Sequence, residues 1–178
     1  IPGENLINIM SSNEYLTRVN LMDAANPKTD TPVILGKKVI VVGGGNTAMD
    51  SCRTAKRLGA DVTLVYRRSE AEMPARLEEV KHAKEEGVNF LTLHNPKEYL
   101  ADEDGRVKAA VLDVMKLGEP DASGRRRPES TGETVTMECD QVIVAVGVSP
   151  NPLVPNSIEG LELGRKNTIA VNEQMQSS

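Results

Sequence analysis

Two groups of residues in this 178-residue chain have the types and spacing to hold an anion. The first is the run Gly43-Gly44-Gly45, followed directly by Asn46, Thr47 and Ala48. The second is the adjacent pair Arg67-Arg68. Glycines let main-chain N–H groups approach a ligand without a Cβ in the way, and a helix that opens there turns its positive end toward the same point. Paired guanidiniums match a phosphate with rigid donor forks.

The surrounding residues sharpen that chemistry. Val39-Ile40-Val41-Val42 reads as a buried parallel strand that runs straight into the glycines, and a helix of about Asn46 to Leu58 follows. Gly43-x-Gly45-x-x-Ala48 is the dinucleotide fingerprint with alanine in its third position. In it Gly43 permits the tight turn, Gly45 lets backbone approach a pyrophosphate, and Ala48 keeps the helix close to the sheet. A second strand, Val62–Tyr66, ends in Arg67-Arg68, roughly 20 residues past the glycines, where such folds meet the adenosine ribose. An acidic residue there would accept from the 2′-hydroxyl of NAD. Two arginines instead fit a 2′-phosphate, which predicts NADP(H). The plain alternatives are a strand–helix turn without a ligand and a solvated arginine pair at a strand end.

Composition excludes several other classes. A net charge of −5 and a pI near 5.2 give no bulk attraction to nucleic acid or anionic membrane. No apolar run approaches the roughly 20 residues that span a bilayer. The two cysteines, Cys52 and Cys139, form no Cys-x-x-Cys, so they read as core filler in a cytoplasmic protein rather than as a redox or metal site. His82, on a helix surface, and His94, in a loop before Pro96, have no partners at metal-ligand spacing, so no metal site is expected. The start, Ile1-Pro2-Gly3-Glu4, has neither an initiator Met nor a signal-peptide pattern, and the chain reads as cut from a longer one.

The elements that must position these groups can be placed in order. Residues 1–36 contain one helix, capped within Ser11–Glu14, carrying Tyr15, Leu16, Val19 and Met22, and ended by Ala25-Asn26-Pro27. Residues 37–93 alternate strand and helix and imply a parallel, right-handed, doubly wound sheet. Ala48, Cys52 and Ala55 line the inner face of the first helix. The second carries Met73, Leu77, Val80 and Ala83 on its apolar side. Ser69-x-x-Glu72 resembles a capping box but would put Pro74 inside the helix, so Pro74 reads as its first residue and Ser69–Met73 as an approach loop. Glu78, Glu79, Glu85 and Glu86 read as solvated helix charges, and Val88–Leu93 as a third strand. Val107–Met115 and Glu133–Cys139 then suggest an antiparallel meander laid on the parallel sheet, separated by a polar loop from Gly118 to Gly132. Arg125-Arg126-Arg127 in that loop read as an exposed turn. Asp140–Gly147 is a further buried strand, and Leu161–Leu163 and Thr168–Val171 are candidate short strands. The fold class is α/β, a three-layer Rossmann-like parallel sheet with an antiparallel β-meander.

Several segments together resemble one family. Val41 to Asp50, Val65 to Arg76 and Glu119 to Pro128 look like the NADPH-dependent glutamate synthase small (β) subunit and its relatives. Those relatives include the large subunit of NADH-dependent ferredoxin:NADP oxidoreductase and the reductase part of dihydropyrimidine dehydrogenase. Ser12 to Met22 and Val146 to Pro152 extend the likeness. It implies a flavoprotein with two dinucleotide-binding domains, in which NADPH passes hydride to FAD and electrons move on to iron–sulfur clusters. By matching motif positions, Gly43, Gly44, Gly45, Asn46 and Thr47 would hold the pyrophosphate. Arg67 and Arg68 would hold the 2′-phosphate, with Arg76 a further candidate, and Gly147 would lie near the nicotinamide end.

The resemblance assigns 1–36 and 149–178 as stubs of the FAD domain and 37–148 as the NADPH-binding domain. FAD and iron–sulfur clusters are then expected only in the full-length protein, so these residues alone would bind NADPH and have nothing to reduce. No side chain is expected to be catalytic, because hydride transfer depends on setting nicotinamide against flavin. The implied partners are NADP(H), the remaining FAD domain and a partner subunit. Competing readings are a ferredoxin-linked transhydrogenase subunit, a ligand-free Rossmann-like scaffold for subunit docking, and a nucleotide enzyme such as a methyltransferase. The last calls for an acidic residue where Arg67-Arg68 stands.

Overall fold

The computed structural model describes every residue except Ser123 and Val148, and at those two positions the motifs quoted above lie outside the described residues. Strand β2 (Lys38–Val42) sits inside a five-stranded parallel sheet in the order β1 (Ile9–Ser11), β8 (Gln141–Val144), β2, β3 (Asp61–Tyr66), β4 (Asn89–Thr92). Its apolar run is buried from Val39 onward because both faces are covered.

Side-chain alternation along the strands feeds two separate cores. Val39, Val41, Val62, Leu64 and Ile143 pack with Tyr15, Ala48, Met49, Cys52, Ala55, Val80 and Ala83 from helices α1 (Ser12–Leu21), α2 (Asn46–Arg57) and α3 (Leu77–Glu85). Ile40, Val42, Val65 and Val142 pack instead with Tyr99, Val107, Ala110 and Leu112 of an antiparallel sheet. That sheet has the order β5 (His94–Ala101), β6 (Val107–Pro120), β7 (Arg126–Glu138). Helices, parallel sheet and antiparallel sheet therefore form three layers. The meander laid on the parallel sheet is as expected, and it covers the face opposite the helices.

The chain divides into two units, Ile1–Val146 and Gly147–Ser178. The second holds α4 (Leu153–Ser157) and a 3₁₀ turn (Arg165–Asn167), and none of its described residues is buried. Of the two short strands expected there, only an isolated bridge between Leu163 and Ile169 forms.

Other expectations are corrected by the structure. The segment before α1 contributes β1, a strand too short to show a pattern, whose pairing with β8 holds it in the sheet. Ser11 caps α1 as expected, its Oγ accepting from the Glu14 N–H at 3.1 Å, but the helix stops at Leu21, before Ala25-Asn26-Pro27. The expected polar loop from Gly118 to Gly132 is mostly strand: β6 and β7 run on as a ribbon, paired out to Pro120 and Arg126. Polar side chains are tolerated there because both faces of a two-stranded ribbon meet water. His94 opens β5 rather than sitting in a loop, with Nδ1 2.7 Å from the Thr92 carbonyl oxygen.

Helix α3 begins at Leu77, not Pro74, and Leu77 is 83% exposed rather than on the apolar side. The residues ahead of it form a 3₁₀ turn, Glu70–Glu72, which Ser69 and Glu72 close. Two of the presumed solvated acids of α3 are engaged as well. Arg53 of α2 donates from Nη1 to Glu79 at 2.7 Å and from Nε to Glu86 at 2.9 Å, and Arg57 donates to Glu86 at 2.6 Å. Those bonds, from Arg57 above all, hold the Glu86 carboxyl below its ordinary range.

The burial contrast gives a direct check. Met49→Ala, at a position 0% exposed, should cost about 2–5 kcal/mol in urea unfolding, whereas Leu77→Gln should stay within about 0.5 kcal/mol. A comparable loss from both would place Leu77 in the core.

Candidate functional site

The strand order itself points to a site. From β2 the chain proceeds through β3 and β4 on one side, while β8 and β1 lie on the other. Ligands of open α/β sheets bind outside the carboxyl ends of the strands at such a switch point. The residues at that edge are Gly43–Thr47 after β2, Arg67-Arg68 after β3 and Ala145 after β8.

Packing requires two of the three glycines, each in a different way. Gly43 has φ +141°, and a Cβ there would meet the Ala145 carbonyl oxygen at 2.5 Å. Its N–H donates to the Val65 oxygen at 3.0 Å, while the Ala145 N–H donates to the Val42 oxygen at 2.8 Å. The ends of β3, β2 and β8 are thus stitched together across a residue with no side chain. A Cβ on Gly44 would lie 2.7 Å from the Tyr66 ring. Gly45 differs: a Cβ there would meet nothing within 4 Å, which leaves the space over the turn clear.

Gly45 is also the N-cap of α2, and it offers the helix no side-chain cap. Ala48 and Met49 donate back to the Gly45 oxygen at 3.0 and 3.2 Å. The Asn46 and Thr47 N–H groups have no partner among the described residues, as expected for an uncapped first turn. Both side chains are exposed, and the Asn46 Oδ1 accepts from the Arg76 N–H at 2.9 Å. What Asn46 leaves for an anion on its backbone is therefore the N–H.

The arginine pair is split by its surroundings. Arg67 is exposed; Arg68 is only 9% exposed, and its Nε is buried with no hydrogen-bond partner among the described residues. The Arg68 carbonyl accepts from the Leu93 N–H at 3.0 Å, which fixes its main chain beside β4. A buried guanidinium nitrogen without a partner is costly unless a ligand supplies one. Gly147 opens the second unit, so its role rests on the sequence resemblance alone. The sequence reading missed the tie between Asn46 and Arg76, for which Pro74, a residue that resists helix continuation, was the available signal.

Nothing here makes a cysteine a nucleophile. Cys52 and Cys139 lie in different cores. Burial drives the Cys52 thiol far up, and burial with the nearby Asp140 charge pushes Cys139 up to about 12. Among the described residues no group of three His, Cys, Asp or Glu side chains could hold a metal ion, and no helix is long and apolar enough to cross a membrane.

Comparison with known proteins agrees with this geometry. The model of the family described as pyridine nucleotide-disulphide oxidoreductase matches residues 1–178. The chain belongs to that family. It is 49% identical over 141 residues to the NADPH-Fe(3+) oxidoreductase subunit beta of Geobacter sulfurreducens, covering 78% of this chain and 21% of that protein. It is 38% identical over 178 residues to the glutamate synthase [NADPH] small chain of Halomonas elongata, covering 97% of this chain and 37% of that protein. The chain thus spans well under half of either relative. Mycobacterium tuberculosis FprA in complex with NADPH shares the fold, with a TM-score of 0.73 at 19% identity over 97% of this chain and 51% of that one. Thioredoxin reductase from T. acidophilum does so with a TM-score of 0.65 over 80% of this chain and 41% of that one, also at 19% identity.

The glycines make unlike demands on the fold. Gly43→Ala should destabilise by about 1–3 kcal/mol or more, because a Cβ there combines strained φ with a backbone clash. Gly45→Ala, with φ −93° and open space, should stay within about 1 kcal/mol of the parent, the poorer N-cap offsetting the entropy lost from the unfolded chain. Equal melting temperatures for the two variants would contradict the close approach of β2 and β8.

Proposed function

We propose that residues 37–148 form the NADP(H)-binding domain of a flavoprotein oxidoreductase of the glutamate synthase small-chain type. The observation that carries this reading is the juxtaposition, at the ends of neighbouring strands, of an uncapped helix N-terminus behind Gly45 and two arginine residues. The residues present fit a dinucleotide bearing a 2′-phosphate. Open space over Gly45 and the free N–H groups of Asn46 and Thr47 suit a pyrophosphate, and the unpartnered Nε of Arg68 suits a further phosphate. Bound nicotinamide supplies a hydride. The chain contributes charge and orientation: Gly43, Gly44, Gly45, Asn46 and Thr47 at the pyrophosphate, Arg67 and Arg68 at the 2′-phosphate, Gly147 toward the nicotinamide.

In this reading 1–36 and 149–178 connect to a flavin domain of the same polypeptide, and iron–sulfur clusters lie outside these residues. Names of relatives support a nicotinamide cofactor of the phosphorylated kind: NADPH-Fe(3+) oxidoreductase, glutamate synthase [NADPH] and the NADP(+)-dependent formate dehydrogenase of Moorella thermoacetica. Each is named as a subunit or chain of a larger assembly, which supports a partner subunit here. The reactions in those names differ, which supports a redox partner that is set outside this domain.

Calorimetric titration with NADPH and NADH tests the assignment. The protein should prefer NADPH, and Arg67→Ala or Arg68→Ala should each weaken NADPH by about tenfold to a hundredfold, as expected for a lost charged hydrogen bond, while NADH changes less than about threefold. Equal affinity for the two nucleotides would remove the role given to the arginines. Binding of neither would favour a docking scaffold.

A further inference from the structure

The segment Ser69–Arg76 is tied across the glycine turn. The Ala75 N–H donates to the Gly44 carbonyl at 3.1 Å, and the Arg76 N–H donates to the Asn46 side-chain oxygen at 2.9 Å. The segment is also braced from below. The Tyr66 hydroxyl donates to the Glu72 carbonyl at 2.9 Å, and the Glu72 carboxylate accepts from the Ser69 N–H at 3.0 Å and its hydroxyl at 2.7 Å. Lys84 of α3 pairs with Glu70 at 2.6 Å. These bonds tie the segment to β3, to the glycine turn, to α2 and to α3.

The strap places Arg76 where a cation is least at home. Arg76 is the N-cap of α3, and its main chain is bonded to the first residue of α2. Two positive helix ends therefore converge beside it, and basic side chains are disfavoured at such ends. Its side chain is exposed, and no ion pair or hydrogen bond engages the guanidinium among the described residues. An unpaired guanidinium tethered beside two positive helix ends is stabilised when an anion enters between them.

We propose that Arg76 binds the cofactor's pyrophosphate and that Asn46 is a positioning residue, its carboxamide oxygen holding the strap that presents Arg76. This rests on the NADP(H) reading above and divides the arginines by task. Arg67 and Arg68 serve the phosphate that distinguishes NADPH from NADH; Arg76 serves the diphosphate both share.

The test uses the whole protein, with calorimetric dissociation constants for NADPH and NADH and amide hydrogen exchange as a readout independent of activity. Arg76→Ala should raise both dissociation constants by about five- to tenfold and leave their ratio unchanged, the modest factor reflecting its exposure. Asn46→Ala should do likewise, and the double variant should bind no more weakly than the worse single one, since the two act as a unit. Exchange at the Ala75 and Arg76 amides should quicken in Asn46→Ala, with β2 and α2 unaffected, and should slow in the parent protein when either nucleotide is added. Should Asn46→Ala unfold by circular dichroism, Arg76→Ala, altered at an exposed side chain, still decides the matter. Unchanged affinities in Arg76→Ala, or a loss confined to NADPH, would overturn the assignment. So would faster exchange in Asn46→Ala with both dissociation constants unmoved. A parent protein that binds neither nucleotide overturns the cofactor reading itself, whereas normal parent binding with an indifferent Arg76→Ala overturns only the role of the strap.

Discussion

The close approach of the β2 and β8 ends is the constraint on which the rest of the site depends. It requires a residue with φ +141° and no side chain at Gly43, because the Ala145 carbonyl occupies the place a Cβ would take. Once that contact is made, the backbone must leave β2 sharply, and α2 starts three residues later over the switch point of the sheet. Helix dipole, free N–H groups and open space over Gly45 follow from that single steric permission. Chemistry at this edge is therefore largely main-chain chemistry, with side chains added around it.

Charge is distributed around the turn in two ways. Arg53 and Arg57 on α2 are matched by Glu79 and Glu86, and that cluster joins α2 to α3. Arg68 and Arg76 have no such partners among the described residues, one buried beside the sheet and the other at the head of α3. Structural arginines are satisfied by the protein itself, while Arg68 and Arg76 keep donors in reserve. The contrast between neighbouring guanidiniums separates scaffold from site more sharply than composition does, for a chain whose overall charge is negative.

The parallel core was legible because its signals were local and strong. Continuous apolar strands, small residues on the inner face of α2 and a glycine run each point the same way, and Ala48, Cys52 and Ala55 are indeed buried. What escaped was set by tertiary contact. β1 is three residues long and exists through its pairing with β8. The β6–β7 ribbon reads as loop because its side chains meet water on both faces, and Leu77 shares the spacing of Val80 and Ala83 but is exposed as the first residue of α3. At the site, the identity and spacing of Gly43, Gly45, Arg67 and Arg68 were visible. The burial of Arg68 and the capture of the Arg76 N–H by Asn46 were not, since both depend on which segment folds back over the turn.

Leu93, the sole residue between β4 and β5, carries one further consequence. At φ +55° it redirects the chain from one sheet to the other, and its two backbone groups engage both: its N–H donates to Arg68 and its carbonyl accepts from Met115 of β6. A displacement of β6 at Met115 therefore reaches the same residue that bonds the Arg68 main chain, which joins the root of the hairpin to the edge where the arginine stands.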